Sequence, residues 1–204
     1  METKLLIPSH HTRWSNCYGI RTEKTAIVID PGKYTDELAE FLSAAEHKRI
    51  FITHAHYDHM LGMEELREKT GAKIYCDERN FLKIPGHVVM PPIKFYGDKY
   101  FDVEPDGSFK SDCEFTVGDI TVKAIHTPGH HIGSVSFLIG NSLFSGDTLF
   151  FETVGVTKYP TGSPDDMKES VKKLKMLPPE VTVYPGHGRS TDIAHELESN
   201  PFMR

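Results

Sequence analysis

Four side chains that can bind a metal ion fall within six residues of the sequence Thr-His-Ala-His-Tyr-Asp-His, residues 53–59. Imidazole and carboxylate groups suit borderline divalent metals such as zinc. The stretch follows an apolar, strand-like run, and side chains alternate along an extended chain, so His54 and His56 lie on one side. Asp58 and His59 fall at the start of the next predicted helix and can project elsewhere. One segment can therefore serve two neighbouring metal positions.

Three further turns place a metal-binding residue directly after an apolar run. They read His-Thr-Pro-Gly-His-His at 126–131, Gly-Asp-Thr at 146–148 and Pro-Gly-His-Gly at 185–188. Each turn alone is weak evidence, since Pro-Gly-His is also an ordinary turn sequence. Together with residues 53–59, they predict four strand ends that gather their ligands at one end of a layered sheet structure.

The candidate ligands suffice for two metal ions. They divide into a three-nitrogen site, a second site with one carboxylate and two imidazoles, and one carboxylate left to bridge the two sites. In that order they are His54, His56 and His130; Asp58, His59 and His187; and Asp147. The two oxygens of a carboxylate can each bind one metal at the roughly 3.5–4 Å separation of two-metal sites. Two cations bring the pKa of a shared water molecule close to neutrality, which predicts hydrolysis with two divalent ions, zinc by default and iron or manganese as alternatives.

The composition is that of an ordinary globular protein, with 204 residues, 38% hydrophobic and 25% charged. We expect a single domain over residues 1–204, because α/β chains of this length often stay whole. The net charge of −6 and the lack of a dense Lys/Arg run argue against a nucleic-acid partner.

Two other features bear on location. No apolar run reaches the roughly 18 residues of a membrane span or the roughly 7–15 residues of a secretory signal. The three cysteines, Cys17, Cys76 and Cys113, form no CxxC pair, which favours reduced thiols. We therefore expect a cytoplasmic protein that acts on a small-molecule substrate, without a membrane partner.

The rest of the chain alternates strand-like and helical runs. Helices are predicted over 35–45 and 61–69, and a third starts at Ser163, an N-cap residue that proline and two acidic residues follow. Residues 85–112 break this alternation with four prolines. Since long loops are usually functional or disordered, we expect a surface excursion that packs against the body or walls a pocket.

The motif order HxHxDH, TPGH, GDT and PGHG resembles that of the metallo-β-lactamase superfamily, and Ser-Gly-Asp-Thr-Leu-Phe at 145–150 resembles its glyoxalase II branch. The resemblance extends from Ile-Asp-Pro-Gly at 29–32 to residues 200–202. It implies an α/β fold, a four-layer αββα sandwich with two mixed β-sheets flanked by helices. It also implies a metal site at one edge of the sheets.

The glyoxalase II resemblance implies an activity. The chain is expected to hydrolyse a thioester of the hydroxyacylglutathione type, with Asp58 as the catalytic residue that orients the attacking water and can take its proton. Lys158 matches a lysine that binds the glycine carboxylate of glutathione in that branch, so it is the candidate substrate-binding residue.

The same motifs help to separate neighbouring branches. Dizinc β-lactamases usually lack a histidine at position 59 and place a cysteine near position 147, flavodiiron proteins have glutamate where His56 stands, and tRNA-processing nucleases act on a polyanion. The alternatives left open are a mononuclear iron persulfide dioxygenase that uses His54, His130 and Asp147, a lactonase or other metallohydrolase of the superfamily, and a non-catalytic metal-dependent binding protein.

Three residues beside the candidate ligands have more than one interpretation. Asp30 either accepts a hydrogen bond from a ligand histidine or caps a turn. His126 and His131 flank His130, and the TPGH register favours His130 as the ligand.

Overall fold

Two six-stranded β-sheets form the centre of the protein in a computed structural model that describes residues 1–7, 14–81 and 104–204. The first sheet contains, in both spatial and chain order, β1 (Glu2–Ile7), β2 (Cys17–Arg21), β3 (Thr25–Ile29), β4 (His47–Phe51), β5 (Lys73–Asp77) and β6 (Gly107–Phe109). The later strands are β7 (Cys113–Val117), β8 (Ile120–His126), β9 (Val135–Ile139), β10 (Ser142–Gly146), β11 (Leu149–Phe150), β12 (Thr153–Val154), β13 (Thr182–Pro185) and β14 (Thr191–Asp192). The second sheet has the spatial order β14-β13-β10-β9-β8-β7, and β11 and β12 form a separate ribbon.

Both large sheets are mixed. In the first sheet, β1, β2 and β3 pair antiparallel, whereas β3, β4, β5 and β6 pair parallel. In the second sheet, only β10 and β13 pair parallel. The parallel pairs matter for the site, because parallel neighbours end at the same edge of a sheet.

Helices cover the outer faces of the two sheets. The described α-helices are α1 (Asp36–Ser43), α2 (Tyr57–Met60), α3 (Met63–Thr70), α4 (Pro164–Lys175) and α5 (Ile193–Ser199), with a 3₁₀ turn at Glu78–Phe81. One core packs α1 and α3 on the first sheet, and another packs α4 and α5 on the second. A third core fills the space between the sheets. The predicted four-layer αββα sandwich is confirmed.

Strand β3 shows why the first sheet is buried on both faces. Its five residues are all buried. Ala26 and Val28 pack towards the helices, whereas Ile27 and Ile29 pack towards the second sheet. This alternation follows the two-residue period of a strand. Burial on both faces also explains the continuous apolar sequence.

The helix termini follow local chemistry. The Ser163 side chain accepts a hydrogen bond from the amide of Asp166, with Pro164 in the first turn, as the sequence predicts. Thr35 caps α1 in the same way through the amide of Leu38. Gly71 ends α3 in the left-handed region at φ 69°.

The structure differs from the sequence prediction in three places. The strand-like run before the motif at 53–59 ends at Phe51, because the Thr53 amide donates to Asp30 Oδ1 instead of a neighbouring strand. The helix expected at 61–69 is preceded by α2, a separate turn of helix. Near the end of the surface excursion expected over 85–112, residues 107–109 form β6, an edge strand that pairs with β5. Residues 85–103 lie outside the described part of the chain.

The described ranges contain no helix that is long and apolar enough to span a lipid bilayer. The cytoplasmic location and the single domain stay predictions.

Candidate metal centre

The seven candidate ligands lie on four turns that follow strands of both sheets. Residues 53–59 come after β4, His130 comes after β8, Asp147 follows β10 and His187 follows β13. The structure brings all four turns together at one edge of the sandwich. The candidate ligands there form three overlapping groups of three residues, and within each group the ligand atoms lie within 4.8 Å of one another.

The first group consists of three imidazoles. His54 Nε2 and His130 Nε2 each lie 2.9 Å from His56 Nδ1. His54 is fully buried and His130 nearly so, whereas His56 is partly exposed. Three ring nitrogens therefore converge beside an opening to solvent, as expected for a ligand set that leaves a position open.

The second group consists of one carboxylate and two imidazoles. Asp58 Oδ2 lies 3.2 Å from His187 Nε2 and 3.8 Å from His59 Nε2. Helix α2 starts at Tyr57 and carries Asp58 and His59. The His59 ring also lies 4.1 Å from the His54 ring, centroid to centroid. The single segment 53–59 thus supplies both groups.

Asp147 lies between the two groups. Its Oδ1 is 3.4 Å from His59 Nε2, and its Oδ2 is 3.4 Å from His130 Nε2. The same Oδ2 is 3.7 Å from His187 Nε2. One carboxylate therefore contacts imidazoles of both groups, which is the position required of a bridging ligand.

Two buried polar atoms at the centre have no hydrogen-bond partner among the described residues. They are His59 Nε2 and Asp147 Oδ1, which face each other. A buried polar atom left without a partner is costly and needs an explanation. A cation between them would satisfy both atoms, so the residues present fit a metal ion. The donors are nitrogen and oxygen without sulfur, which suits zinc, iron or manganese.

An outer set of hydrogen bonds orients the ligand rings. Asp30 Oδ2 lies 2.8 Å from His59 Nδ1 and accepts a bond of 2.7 Å from the hydroxyl of Thr53, which in turn contacts His54 Nδ1. The Val156 carbonyl lies 2.8 Å from His130 Nδ1. These acceptors favour a proton on Nδ1 and so make Nε2 of the His59 and His130 rings the donor to a metal. Asp30 is therefore placed to orient a ligand histidine, the first of its two predicted interpretations.

The electrostatics of the two groups differ. Burial lowers the pKa of His56 to about 3, with a smaller contribution from His130, and burial also lowers the pKa of His54 and His130. Burial opposes a charge on His59 as well, but surrounding carboxylates, foremost Asp30, hold its pKa well above the usual value. The first group therefore offers neutral nitrogens, and the second favours a positive charge.

The other candidate residues lie outside these groups. His131 is buried, and its Nδ1 accepts from the Gly133 amide. His126 Nε2 lies 3.1 Å from the Ile132 carbonyl. Lys158 is exposed, and its side chain has no hydrogen bond or ion pair within the described ranges. Its substrate-binding role therefore stays a prediction.

Two residues at the site lie outside every motif of the sequence. The Tyr159 ring centroid is 5.8 Å from the centroids of both His56 and His130. Asn80 accepts from the Ala55 amide and donates to the Gly133 carbonyl, so it joins the first ligand turn to the turn that carries His130. A single aromatic or amide residue carries no periodic or spacing signal, and only the tertiary structure reveals these contacts.

Comparison with known proteins connects this geometry to a family. The family described as Metallo-beta-lactamase superfamily matches residues 14–187. A curated relative from Bacillus velezensis is named Probable polyketide biosynthesis zinc-dependent hydrolase BaeB. It is 34% identical to this chain over an alignment 204 positions long, which covers 95% of this chain and 82% of the relative.

Two solved structures share the fold over nearly their whole length. The crystal structure of BLEG-1 B3 metallo-beta-lactamase has a TM-score of 0.82 and 30% identity, and covers 99% of this chain and 98% of its own. The structure of TTHA1623 in a di-iron-bound form has a TM-score of 0.75 and 28% identity, and the match covers 99% of this chain and 100% of that protein's chain.

Proposed function

Because the chain belongs to the metallo-beta-lactamase superfamily, we propose that its centre holds two divalent metal ions and hydrolyses a thioester of the hydroxyacylglutathione type. One observation carries the two-metal hydrolytic part of this proposal: two three-donor groups converge on either side of Asp147, a single buried carboxylate. Such an arrangement is typical of hydrolytic two-metal sites.

The seven candidate residues would be shared between the two ions. His54, His56 and His130 would hold one ion. Asp58, His59 and His187 would hold the second, and Asp147 would bind both. Bound divalent ions would acidify a water molecule and polarise the scissile carbonyl group. Zinc is the proposed metal, because the Bacillus velezensis relative is named zinc-dependent.

Asp58 is the proposed general base. Burial opposes its ionisation, but the nearby imidazoles of His59 and His187 outweigh burial and hold its pKa below the usual value. The carboxylate is therefore ionised at neutral pH. Its Oδ2 faces His187, at the more exposed end of the centre, where it can orient an attacking water molecule and accept its proton.

The second group favours two metal ions over one. A mononuclear iron dioxygenase would use His54, His130 and Asp147, and would leave Asp58, His59 and His187 without a role. The structure instead brings these three residues within ligand distance of one another. The di-iron form of a similar protein agrees with two ions and also keeps iron as an alternative to zinc.

β-Lactam hydrolysis is the second candidate function. The similarity to a B3 metallo-beta-lactamase favours it, although His59 and Asp147 argued against dizinc β-lactamases at the level of the sequence. Both candidate reactions transfer an acyl group to water, so the centre alone does not select between them.

A substrate panel tests the proposed function. The protein would be prepared in zinc, manganese and iron forms and assayed with an acylglutathione thioester, a lactone, a β-lactam, a phosphodiester and glutathione persulfide with oxygen-uptake detection. We expect the thioester to give the highest kcat/KM. A higher kcat/KM for the β-lactam or the persulfide would replace thioester hydrolysis with that reaction. His47→Gln is a matched control, because His47 begins β4, whose other end leads to the ligands.

A further inference from the structure

Tyr159 forms an aromatic wall over one half of the centre. Its ring meets His56 and His130 edge-on, at interplanar angles of 82° and 86°. The residue is 48% exposed, so one face of the ring is available to a bound molecule. Its hydroxyl has no hydrogen-bond partner in the part of the chain that the structure describes. The wall therefore offers apolar surface to whatever lies above His56 and His130.

The segment 155–163 that carries Tyr159 is anchored at both ends to the ligand turns. Near its start, Val156 binds His130 through its carbonyl group. Gly155 packs so closely on Asp147 that a Cβ atom would lie 1.8 Å from the Asp147 carbonyl oxygen. At its end, the Ser163 amide donates to the Gly129 carbonyl. The wall is thus positioned before any substrate binds, which lowers the entropic cost of binding.

An apolar cavity lies on the same segment. It has a volume of about 330 Å³ and is lined by residues 154–157, by Phe202 and by residues of α4 between Pro164 and Val171, almost wholly through apolar atoms. Val156 and Phe202 are 47% and 55% exposed. Val156 thus contributes its carbonyl group to the metal centre and its side chain to the cavity. Apolar pockets of this size with few polar groups are typical ligand sites.

We propose that the acyl half of the substrate is an unbranched apolar chain that lies against Tyr159, crosses Val156 and ends in this cavity. The inference rests on the proposed thioester hydrolysis and specifies the acyl group further: beyond the carbons next to the carbonyl, where a hydroxyl group can be carried, the chain is apolar. Val156 connects the two places, because its carbonyl group lies 2.8 Å from His130 Nδ1 and the residue also lines the cavity, while Tyr159 in the same segment lies beside His56 and His130. A short polar acyl group would leave the apolar lining of the cavity exposed to water.

A chain-length series tests this inference. Thioesters of one thiol with acetyl, butanoyl, hexanoyl and octanoyl groups would be compared by kcat/KM. Each methylene group that becomes buried should raise kcat/KM by up to about fourfold. We expect kcat/KM for the octanoyl thioester to be at least about tenfold higher than for the acetyl thioester, which corresponds to the burial of a few methylene groups.

Surface variants separate the wall and the cavity from general effects. Val156→Ser, Phe202→Ser and Tyr159→Ala should each lower the octanoyl-to-acetyl ratio by about threefold or more, the effect of roughly one buried methylene group. Tyr159→Phe keeps the ring and should keep the preference. Met176→Ser is the matched control, because Met176 is 84% exposed at the far end of α4. Metal content is measured for every variant.

Binding to the chelated, metal-free protein gives a readout that is independent of turnover. Calorimetric titration should show tighter binding of octanoate than of butanoate, and Val156→Ser should weaken the binding of octanoate. Equal affinity for both carboxylates, or thioester turnover without chain-length preference, would overturn the inference and leave the proposed function standing. Length-dependent binding without turnover of any thioester would support the apolar site and contradict the proposed function.

Discussion

Asp147 connects the two halves of the centre at the scale of single residues. It is buried, and its two oxygens lie 3.4 Å from imidazole nitrogens of both groups. Asp147→Ala should therefore release both metal ions and remove nearly all activity. Metal analysis and kcat measured on the same purified sample check this. A variant that keeps two bound metals and unchanged turnover would contradict the bridging assignment.

Lys158 is an exposed residue next to Tyr159. If it binds a substrate carboxylate, it acts as a point charge outside the metal ligands. Lys158→Ala should then raise KM more than it lowers kcat, and leave metal content unchanged. The effect should appear with a thioester that bears the carboxylate and disappear when that carboxylate is amidated. The same effect on both substrates, or none on either, would make Lys158 an ordinary surface lysine.

His56 makes the stability of the metal-free protein depend on pH. Its pKa of about 3 in the folded protein lies below the value of about 6.5 of an unfolded chain. The stabilisation from a neutral His56 is thus fully present above pH 6.5 and is lost as the pH falls towards 3. Between pH 7 and 5 the loss should be about 1–2 kcal/mol.

The variant His56→Asn removes this imidazole and, with it, one of the charges that lower the pKa of His54. Urea unfolding with a chelator at pH 7, 6 and 5 should show a smaller decrease in the free energy of unfolding for the variant. An equal decrease in both proteins would assign the acid sensitivity to other groups.

At the scale of the elements, the turn after β13 must approach the centre closely. A Cβ atom on Gly186 would lie 2.3 Å from Asp147 Oδ1 and 2.7 Å from His59 Cε1. The backbone cannot retreat easily, because the Gly186 amide donates to the Gly146 carbonyl and its own carbonyl accepts from the Asn16 amide. Gly186→Ala should therefore displace a ligand and lower metal content and activity at least about tenfold. Losses of this order are typical when a residue that supports a metal ligand is changed.

Gly188 in the same turn provides the matched control. It has φ 79°, and no atom lies within 4 Å of a Cβ placed there. Gly188→Ala should cost about 1–2 kcal/mol of stability through backbone strain but keep both metals. Equal metal loss in both variants would mean that the turn as a whole, and not the close contact at Gly186, controls the ligands.

The elements also show which features of the fold and the site the sequence predicts and which it does not. Each candidate ligand follows an apolar run, so local patterns suffice to place residues such as His54 and Asp147 at strand ends. The sequence also predicts that segment 53–59 can serve two ligand groups, because a helix was expected to start near Asp58 and His59, and α2 begins at Tyr57. Strand β6 was not predicted, because Gly107–Phe109 is too short to show alternation and its pairing with β5 is distant in sequence. Tyr159 was missed for a related reason, since its contacts with His56 and His130 exist only in the folded chain.

At the scale of the whole molecule, the sandwich brings candidate metal ligands from two sheets together at one edge. The first sheet supplies the turn after β4, and the second supplies the turns after β8, β10 and β13. Asp30, at the end of β3, accepts hydrogen bonds from Thr53 and His59 and so fixes the orientation of the first sheet's ligands. The core between the sheets, which includes Phe51 and Phe137, holds the two halves at the required separation.

The metal content of the purified protein tests the dinuclear centre most directly. The protein would be produced in unsupplemented medium, and its metals would be counted per chain by mass spectrometry and related to thioesterase activity before and after chelation. The two converging groups predict two equivalents of divalent metal, chiefly zinc, and activity that is lost with them and returns when two equivalents are restored. A reproducible single equivalent of iron in fully active protein would contradict the account.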